Sequence, residues 1–327
     1  MRLSICIPTY NRGPYLPELL ASIEREWDER IEVVVSDNGS TDETPAVLAE
    51  WTARLPDMKV VQQAENVGPD RNFLAVVEAA SGDFCWLMGS DDRIEPGGIA
   101  RVLDHCTRHA DVAGFLVNVI AYDVAMQHPV PVSAPMTFTQ DQLLEGAEHS
   151  FGVLLNYLGY LSSNVVRRDL WNAVVATGEP LGQLNAYVHV FIIGRMLQRC
   201  PRWGIIATPC VGWRSSNDSF LSDGWLRRME IDVVGYGRLA EGLFGANSSM
   251  AHQVRDQVAG GHVYRHFRGA KGHGQSPASL RRGARLITAA YWRSPAFWTR
   301  LLPWILVPNP IARAGYRLYK RRQWPPA

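Results

Sequence analysis

CWLMGSDD, residues 85–92, is the stretch whose reading decides the fold. Four mostly apolar residues lead into Gly89 and Ser90, and then into two adjacent carboxylates, Asp91 and Asp92. A short apolar run bounded by turn residues reads as a buried strand. Two neighbouring carboxylates repel each other and resist burial. A divalent cation removes that conflict, and hard cations such as magnesium or manganese bind a carboxylate or two together with phosphate oxygens and water. The pair therefore suggests a metal–diphosphate site. Because adjacent side chains on extended backbone diverge, one aspartate is expected to bind the metal and the other to hold a ribose hydroxyl or a water.

Working outward, residues 3–8 (LSICIP) and 31–36 (IEVVVS) are further apolar runs, 59–62 is a weaker one, and 112–117 makes a fifth strand. Between them, Leu16, Leu19, Leu20, Ile23 and Trp27 fall on one helical face. A second helix is capped by Thr41 or Asp42 and runs to Leu55. A third starts at Pro69 and ends at Ser81-Gly82. Strands alternating with helices of this length predict an α/β fold with a mainly parallel sheet flanked by helices. Ligands of such sheets bind beyond the carboxyl ends of the strands. Three polar clusters lie at those ends: Thr9-Tyr10-Asn11, Asp37-Asn38 and Ser90-Asp91-Asp92. Farther on, residues 119–140 read as loop or short strands, 160–167 and 204–213 as strands, 185–200 as a helix capped by Asn185, and 269–277 as a linker.

The order and spacing of PTYNR (8–12), SDNGSTDET (36–44), ENVGPDRN (65–72) and SGDFCWLMGSDD (81–92) resemble family 2 glycosyltransferases with the GT-A (Rossmann-like) fold. The GSDD style and VGWRSSNDSF (211–220) are similar to bacterial enzymes that add abequose or a related sugar to O-antigen units. The resemblance implies a nucleotide-sugar donor, Mn2+ or Mg2+, and inversion at the anomeric carbon. Carried over by position, Pro8, Thr9 and Tyr10 line the nucleotide base with Asn11 and Arg12 nearby. Asp37 binds base or ribose, Arg71 helps hold the donor, Asp91 contacts the ribose or sugar side, and Asp92 binds the metal.

The family supplies its base from a Glu-Asp pair at a helix start in the acceptor half, and this chain has no such pair there. His189, in the first turn of the corresponding helix, is the leading candidate. A helix amino end disfavours imidazolium and keeps the ring able to accept a proton. Glu179 is next. A catalytically silent nucleotide-sugar or glycan-binding scaffold is the competing class. A nucleotidyltransferase is a poorer one, because Asn11-Arg12-Gly13-Pro14 does not make the glycine-rich loop it needs.

Composition adds the setting. The chain has 327 residues, 46% of them apolar, which suits one large domain or two modest ones. Five cysteines without a CxxC pair indicate neither a zinc site nor a disulfide framework, and a reducing cytoplasm is expected. There is no apolar run long enough to span a bilayer. The net charge of +1 hides an asymmetry: residues 257–327 hold 13 Lys/Arg and no acid, so the rest carries all 32 acids against 20 bases. Arginines mixed with Trp292, Trp298, Trp304 and Trp324 suit an anionic membrane surface. No motif supports nucleic acid. The expected division is a glycosyltransferase domain over 1–220, with a nucleotide-sugar half at 1–118 and an acceptor half at 119–220, followed by a helical, basic membrane-surface region at 221–327. The expected setting is the inner face of the cytoplasmic membrane, acting on a lipid-linked (polyprenyl-diphosphate) glycan acceptor of the bacterial envelope.

Overall fold

A computed structural model of the chain describes residues 1–131, 136–217 and 224–323. Residues 218–220 of the VGWRSSNDSF stretch and Trp324 lie outside them. The chain divides into two compact units, one ending at Asn217 and one following it.

Among the described residues, the first unit is built on one sheet of nine strands: β1 (Leu3–Thr9), β2 (Ile31–Asp37), β3 (Met58–Gln62), β4 (Phe84–Leu87), β5 (Arg93–Ile94), β6 (Gly114–Tyr122), β7 (Gln142–Glu145), β8 (Asn164–Arg167) and β9 (Arg202–Arg214). The order is β3-β2-β1-β4-β8-β6-β9-β5, with β7 paired to β9. Helices α1 (Leu16–Arg25), α2 (Thr44–Thr52), α3 (Pro69–Glu78), α4 (Gly98–Arg108), α5 (Ala147–Leu158), α6 (Arg168–Val175) and α7 (Val188–Arg199) accompany it. Every residue of β1 and β2 is buried, which explains their unbroken apolar runs: a parallel strand covered on both faces has no solvent side to alternate with. In α1 the predicted face, Leu16, Leu19, Leu20 and Ile23, is buried.

The GT-A architecture matches expectation, and the parallel part is confined to two places. β3-β2-β1-β4 is parallel throughout, and so is β6-β9. β8 runs antiparallel to both β4 and β6, and β5 and β7 run antiparallel to β9. The expected strand at 160–167 is half right: Leu161–Ser163 is a 3-10 turn and only Asn164–Arg167 is extended. β6 runs on to Tyr122, into residues expected as loop or short strands.

Within the second unit, α8 (Trp225–Phe244), α9 (Ser249–Val258), α10 (Tyr264–Gly272), α11 (Pro277–Tyr291), α12 (Leu302–Leu306) and α13 (Asn309–Gln323) are all helical. The expected linker at 269–277 is corrected by α10 and α11, which leave only a short turn between them. Ser276 caps α11, its Oγ accepting the Ser279 N–H at 3.2 Å. Asp232 is fully buried, ion-paired to Arg228 and 3.3 Å from His266.

Candidate active site

β1 lies between β2 and β4, all three parallel, so their carboxyl ends share one rim. With strands about 4.8 Å apart, the ends of β2 and β4 are roughly 10 Å from each other. Thr9, Tyr10 and Asn11 follow β1, Asp37 ends β2, and Asp91 and Asp92 follow β4.

Hydrogen bonds sew the loops of this rim together. Asn38 N–H donates to the Thr9 carbonyl at 2.9 Å. The Asn11 N–H donates to Ser40 Oγ, and Asn11 Oδ1 accepts from the Thr41 N–H, both at 2.8 Å. Asn11 sits at φ 51° to make this turn. Asn72, near the start of α3, donates to the carbonyls of Thr9 (3.3 Å) and Ser36 (3.0 Å), which ties the 65–72 segment to the ends of β1 and β2.

The expected site residues differ in how open they are. Pro8, Thr9 and Asp37 are buried. Asp37 accepts from the Ser40 N–H at 3.1 Å and from Gln62 Nε2 at 2.9 Å. Thr9 Oγ1 is buried with no hydrogen-bond partner. Tyr10 is 41% exposed, a flat ring at the rim. Asn11 and Arg71 are also exposed, and Asp91 is intermediate.

The 88–92 segment is a turn, closed by the Asp92 N–H on the Gly89 carbonyl at 3.2 Å. This changes the expected geometry of the aspartate pair. An ideal Cβ placed on Gly89 would stand 2.9 Å from Asp92 Oδ2, 3.1 Å from Ser162 Oγ and 3.4 Å from Asp91 Oδ1. Both carboxylates therefore bring an oxygen close to Gly89, where extended backbone would send them apart. Gly89 has no side chain to stand between these oxygens, and the three form a small cradle beside its Cα.

Asp92 is 2% exposed and held on three sides. Tyr160 OH and Ser162 Oγ donate to Oδ2 at 2.6 and 2.5 Å, and the Arg214 N–H donates to Oδ1 at 3.1 Å. Burial, followed by the charge of Asp91, pushes its carboxyl up to about 7, against the pull of those donors. Burial and Asp92 together raise the Tyr160 phenol well above its ordinary value. Asp91 Oδ2 accepts from Asn217 Nδ2 at 2.6 Å. The Arg214 side chain spans the group: it donates to the carbonyls of Asp91 (2.9 Å) and Val124 (2.5 Å) and pairs with Glu18 at 2.6 Å. Among the described residues, no group of three or more His, Cys, Asp or Glu is placed to hold a metal. Two carboxylates facing one cradle do suit a cation whose other ligands come from a diphosphate and water.

In the later part of the first unit, His189 is 2% exposed and in the first turn of α7. Its Nε2 is 3.0 Å from the Leu158 carbonyl, so the proton sits on Nε2, and Nδ1 is buried without a partner. Phe73 meets the ring edge-on at 5.5 Å. Burial lowers its pKa to about 4. The ring is neutral, and desolvation by burial is the largest cause. The amino end of α7 is capped from a distance: Asp70 on α3 accepts the N–H groups of Ala186 (2.7 Å) and Val188 (3.1 Å), where Asn185 was the expected cap. Asn185 Oδ1 only receives the Tyr187 N–H at 3.1 Å. Glu179 is ion-paired to Arg195 at 2.7 Å.

Sequence reasoning missed Tyr160, Ser162, Arg214, Glu18 and Asp70. YLSSN and VGWR stand out as words, but nothing local says that their side chains meet Asp92.

Comparison with known proteins bears on this rim. A family model described as "Glycosyl transferase family 2" matches residues 4–152. The abequosyltransferase RfbV of Salmonella typhimurium is 34% identical over 269 residues, which is 76% of this chain and 78% of the relative. Among solved structures, S. aureus TarS 1-349 in complex with UDP-GlcNAc superposes with a TM-score of 0.63 at 17% identity, over 100% of this chain and 93% of that one. The mannosyltransferase PcManGT from Pyrobaculum calidifontis, in complex with GDP-Man and Mn2+, gives a TM-score of 0.55 at 16% identity, over 98% and 88%. The two structures share the fold, and the Salmonella relative shares the sequence over most of both chains, so this protein belongs to glycosyl transferase family 2 and is a glycosyltransferase.

Proposed function

We propose that the chain is an inverting, metal-dependent glycosyltransferase that moves a sugar from a nucleotide-sugar donor to a lipid-linked glycan acceptor at the inner face of the cytoplasmic membrane. The observation that carries the donor site is the cradle above Gly89, faced by Asp91 Oδ1, Asp92 Oδ2 and Ser162 Oγ. It lies on the same rim as the unpartnered Thr9 hydroxyl and the exposed Tyr10 ring.

Transfer breaks the bond between the anomeric carbon and a diphosphate oxygen, so negative charge grows on the leaving group. A divalent cation, Mn2+ or Mg2+, when bound supplies the compensating charge, which counts most in the transition state. Asp92 and Asp91 would hold it, and its charge would offset the burial and the Asp91 charge that together raise the Asp92 carboxyl. Tyr160, Ser162 and the Arg214 N–H fix Asp92 in place, so its oxygens need not reorganise as charge develops. Tyr10 offers a face for the base, Asp37 and Thr9 offer acceptors and a donor for base or ribose, and Arg71 offers charge to the donor phosphates.

The acceptor hydroxyl attacks from the far side and needs a base within reach. His189 has a neutral, unpartnered Nδ1 but is enclosed, while Glu179 is more open and paired to Arg195. Burial favours reading His189 as the group that joins α7 to the end of α5, and substitution separates the two roles. In this reading residues 1–118 handle the donor, 119–220 the acceptor, and 221–327 the membrane surface. The relation to an abequosyltransferase favours an O-antigen or similar envelope acceptor.

The test is a screen of nucleotide sugars with Mn2+ for thermal stabilisation, followed by transfer with the donor found. Asp92→Asn is expected to keep the fold and lower transfer on the order of a hundredfold or more. A wild-type protein that binds the donor with metal but neither hydrolyses nor transfers it would favour a silent binding scaffold. An Asp92→Asn protein with wild-type turnover would end the metal role.

A further inference from the structure

We propose that the corner joining α12 to α13, residues 301–312, is a wedge that inserts into an anionic phospholipid bilayer. It deepens the membrane-surface reading above and rests on it.

The segment LLPWILVPNPIA carries no charge. Leu306 is 71% exposed and Ile311 61%, at the two sides of the corner. Leu318, seven residues beyond Ile311, continues the same stripe of α13 and is 62% exposed. Single exposed leucines are ordinary, but a run of apolar side chains on one uncharged corner is not. Leu301 and Ala312, at its ends, are buried and hold it to the unit.

The backbone of this corner is treated unusually. A helix end leaves carbonyls without helical partners. Here Lys271, itself buried, donates from Nζ to the carbonyls of Trp304 (2.5 Å), Ile305 (3.0 Å) and Val307 (2.6 Å). Three carbonyls of the turn are thus satisfied from inside the protein, and its most exposed side chains, Leu306 and Ile311, are hydrocarbon. A water-exposed turn needs no such device, because water would satisfy those carbonyls. A turn entering lipid does need it.

Charge names the occupant. Residues 257–327 hold 13 Lys/Arg and no acid. Arg300 and Arg313 stand at the two ends of the corner, each tied by one hydrogen bond to a carbonyl, of Gly260 (3.0 Å) and Gly274 (3.3 Å), and each exposed. Trp298, 58% exposed, lies just before Arg300. An apolar tip ringed by cations and an interfacial aromatic is complementary to anionic headgroups over acyl chains.

Deleting the tail is a poor test, because α11 contributes buried Leu280, Ile287 and Tyr291 to the unit. The test uses the full chain, sedimented with vesicles of phosphatidylethanolamine and phosphatidylglycerol at about 0.1 M and about 0.5 M salt. Wild type is expected to stay bound at the higher salt. The double variant Leu306→Glu/Ile311→Glu is expected to bind roughly a hundredfold more weakly, with Leu306→Ser/Ile311→Ser in between. Both sites are exposed, so circular dichroism should not change. Equal binding by the variants, complete release of wild type by salt, or no binding at all would overturn the wedge. Donor-induced thermal stabilisation, measured on the same proteins, reports separately on the catalytic reading. A chain that binds donor and ignores vesicles loses only the wedge.

Discussion

Replacing His189 by glutamine tests how the buried start of α7 is held to the end of α5. The imidazole ordinarily titrates near 6.5, and in the folded chain it is pushed down to about 4 by burial. Below the ordinary value the unfolded chain takes up a proton that the folded chain refuses. The stability linked to His189 is therefore fully present above about pH 6.5 and is lost as pH falls toward 4. Each pH unit inside that window is worth about 1.4 kcal/mol, so wild type should lose ~2 kcal/mol through this one residue by about pH 5. Glutamine does not titrate and can still donate to the Leu158 carbonyl. At about pH 7 the variant should be less stable by ~1 kcal/mol, for the lost edge-on contact with Phe73. At about pH 5 that deficit should vanish or reverse. Urea unfolding of both proteins at both pH values measures the difference, and other titrating groups cancel in the comparison. A gap of the same size at both pH values would show that the ring is solvated and that the enclosed geometry is misread. The same variant also separates two roles in transfer. Loss of a general base lowers the rate by roughly 10²–10⁴ with donor affinity unchanged, whereas a packing group leaves a modest effect on both.

Two further substitutions probe the framework. Gly89→Ala puts a methyl where Asp92 Oδ2 and Ser162 Oγ lie within 2.9 and 3.1 Å, so donor binding in the presence of Mn2+ should weaken, at a cost of about 1–3 kcal/mol to folding. Calorimetric titration giving wild-type donor affinity would mean that the cradle is not the diphosphate site. Asp70→Ala removes the acceptor of two backbone N–H groups at the start of α7 and should cost about 2–3 kcal/mol. Hydrogen exchange should quicken at Ala186 and Val188, and unchanged protection there would refute the long-range cap.

The first four strands and their shared rim were legible because their signals are local. A parallel strand buried on both faces is an unbroken apolar run, and turn residues mark where it stops. LSICIP, IEVVVS and FCWLM each announce a strand whose carboxyl end carries polar residues. Parallel neighbours present those ends on one side, so the shared rim followed from pattern alone. The basic, acid-free final segment is likewise a matter of counting. Tertiary structure decided which side chains meet. Asp92 is held by Tyr160, Ser162 and Arg214, which are distant in sequence and join it only because β8 runs antiparallel to β4 and β9 closes over the loop after it. The turn after β4 brings an oxygen of each of two adjacent carboxylates close to Gly89, which strand periodicity alone does not predict. His189 lies in the first turn of its helix as the sequence indicated, but that it is buried there, and that Asp70 caps this helix end, followed only from packing. Periodicity specifies an element and its buried face, while the partner of a buried charge is chosen by desolvation in the assembled chain, and that cost exists only once the elements have packed.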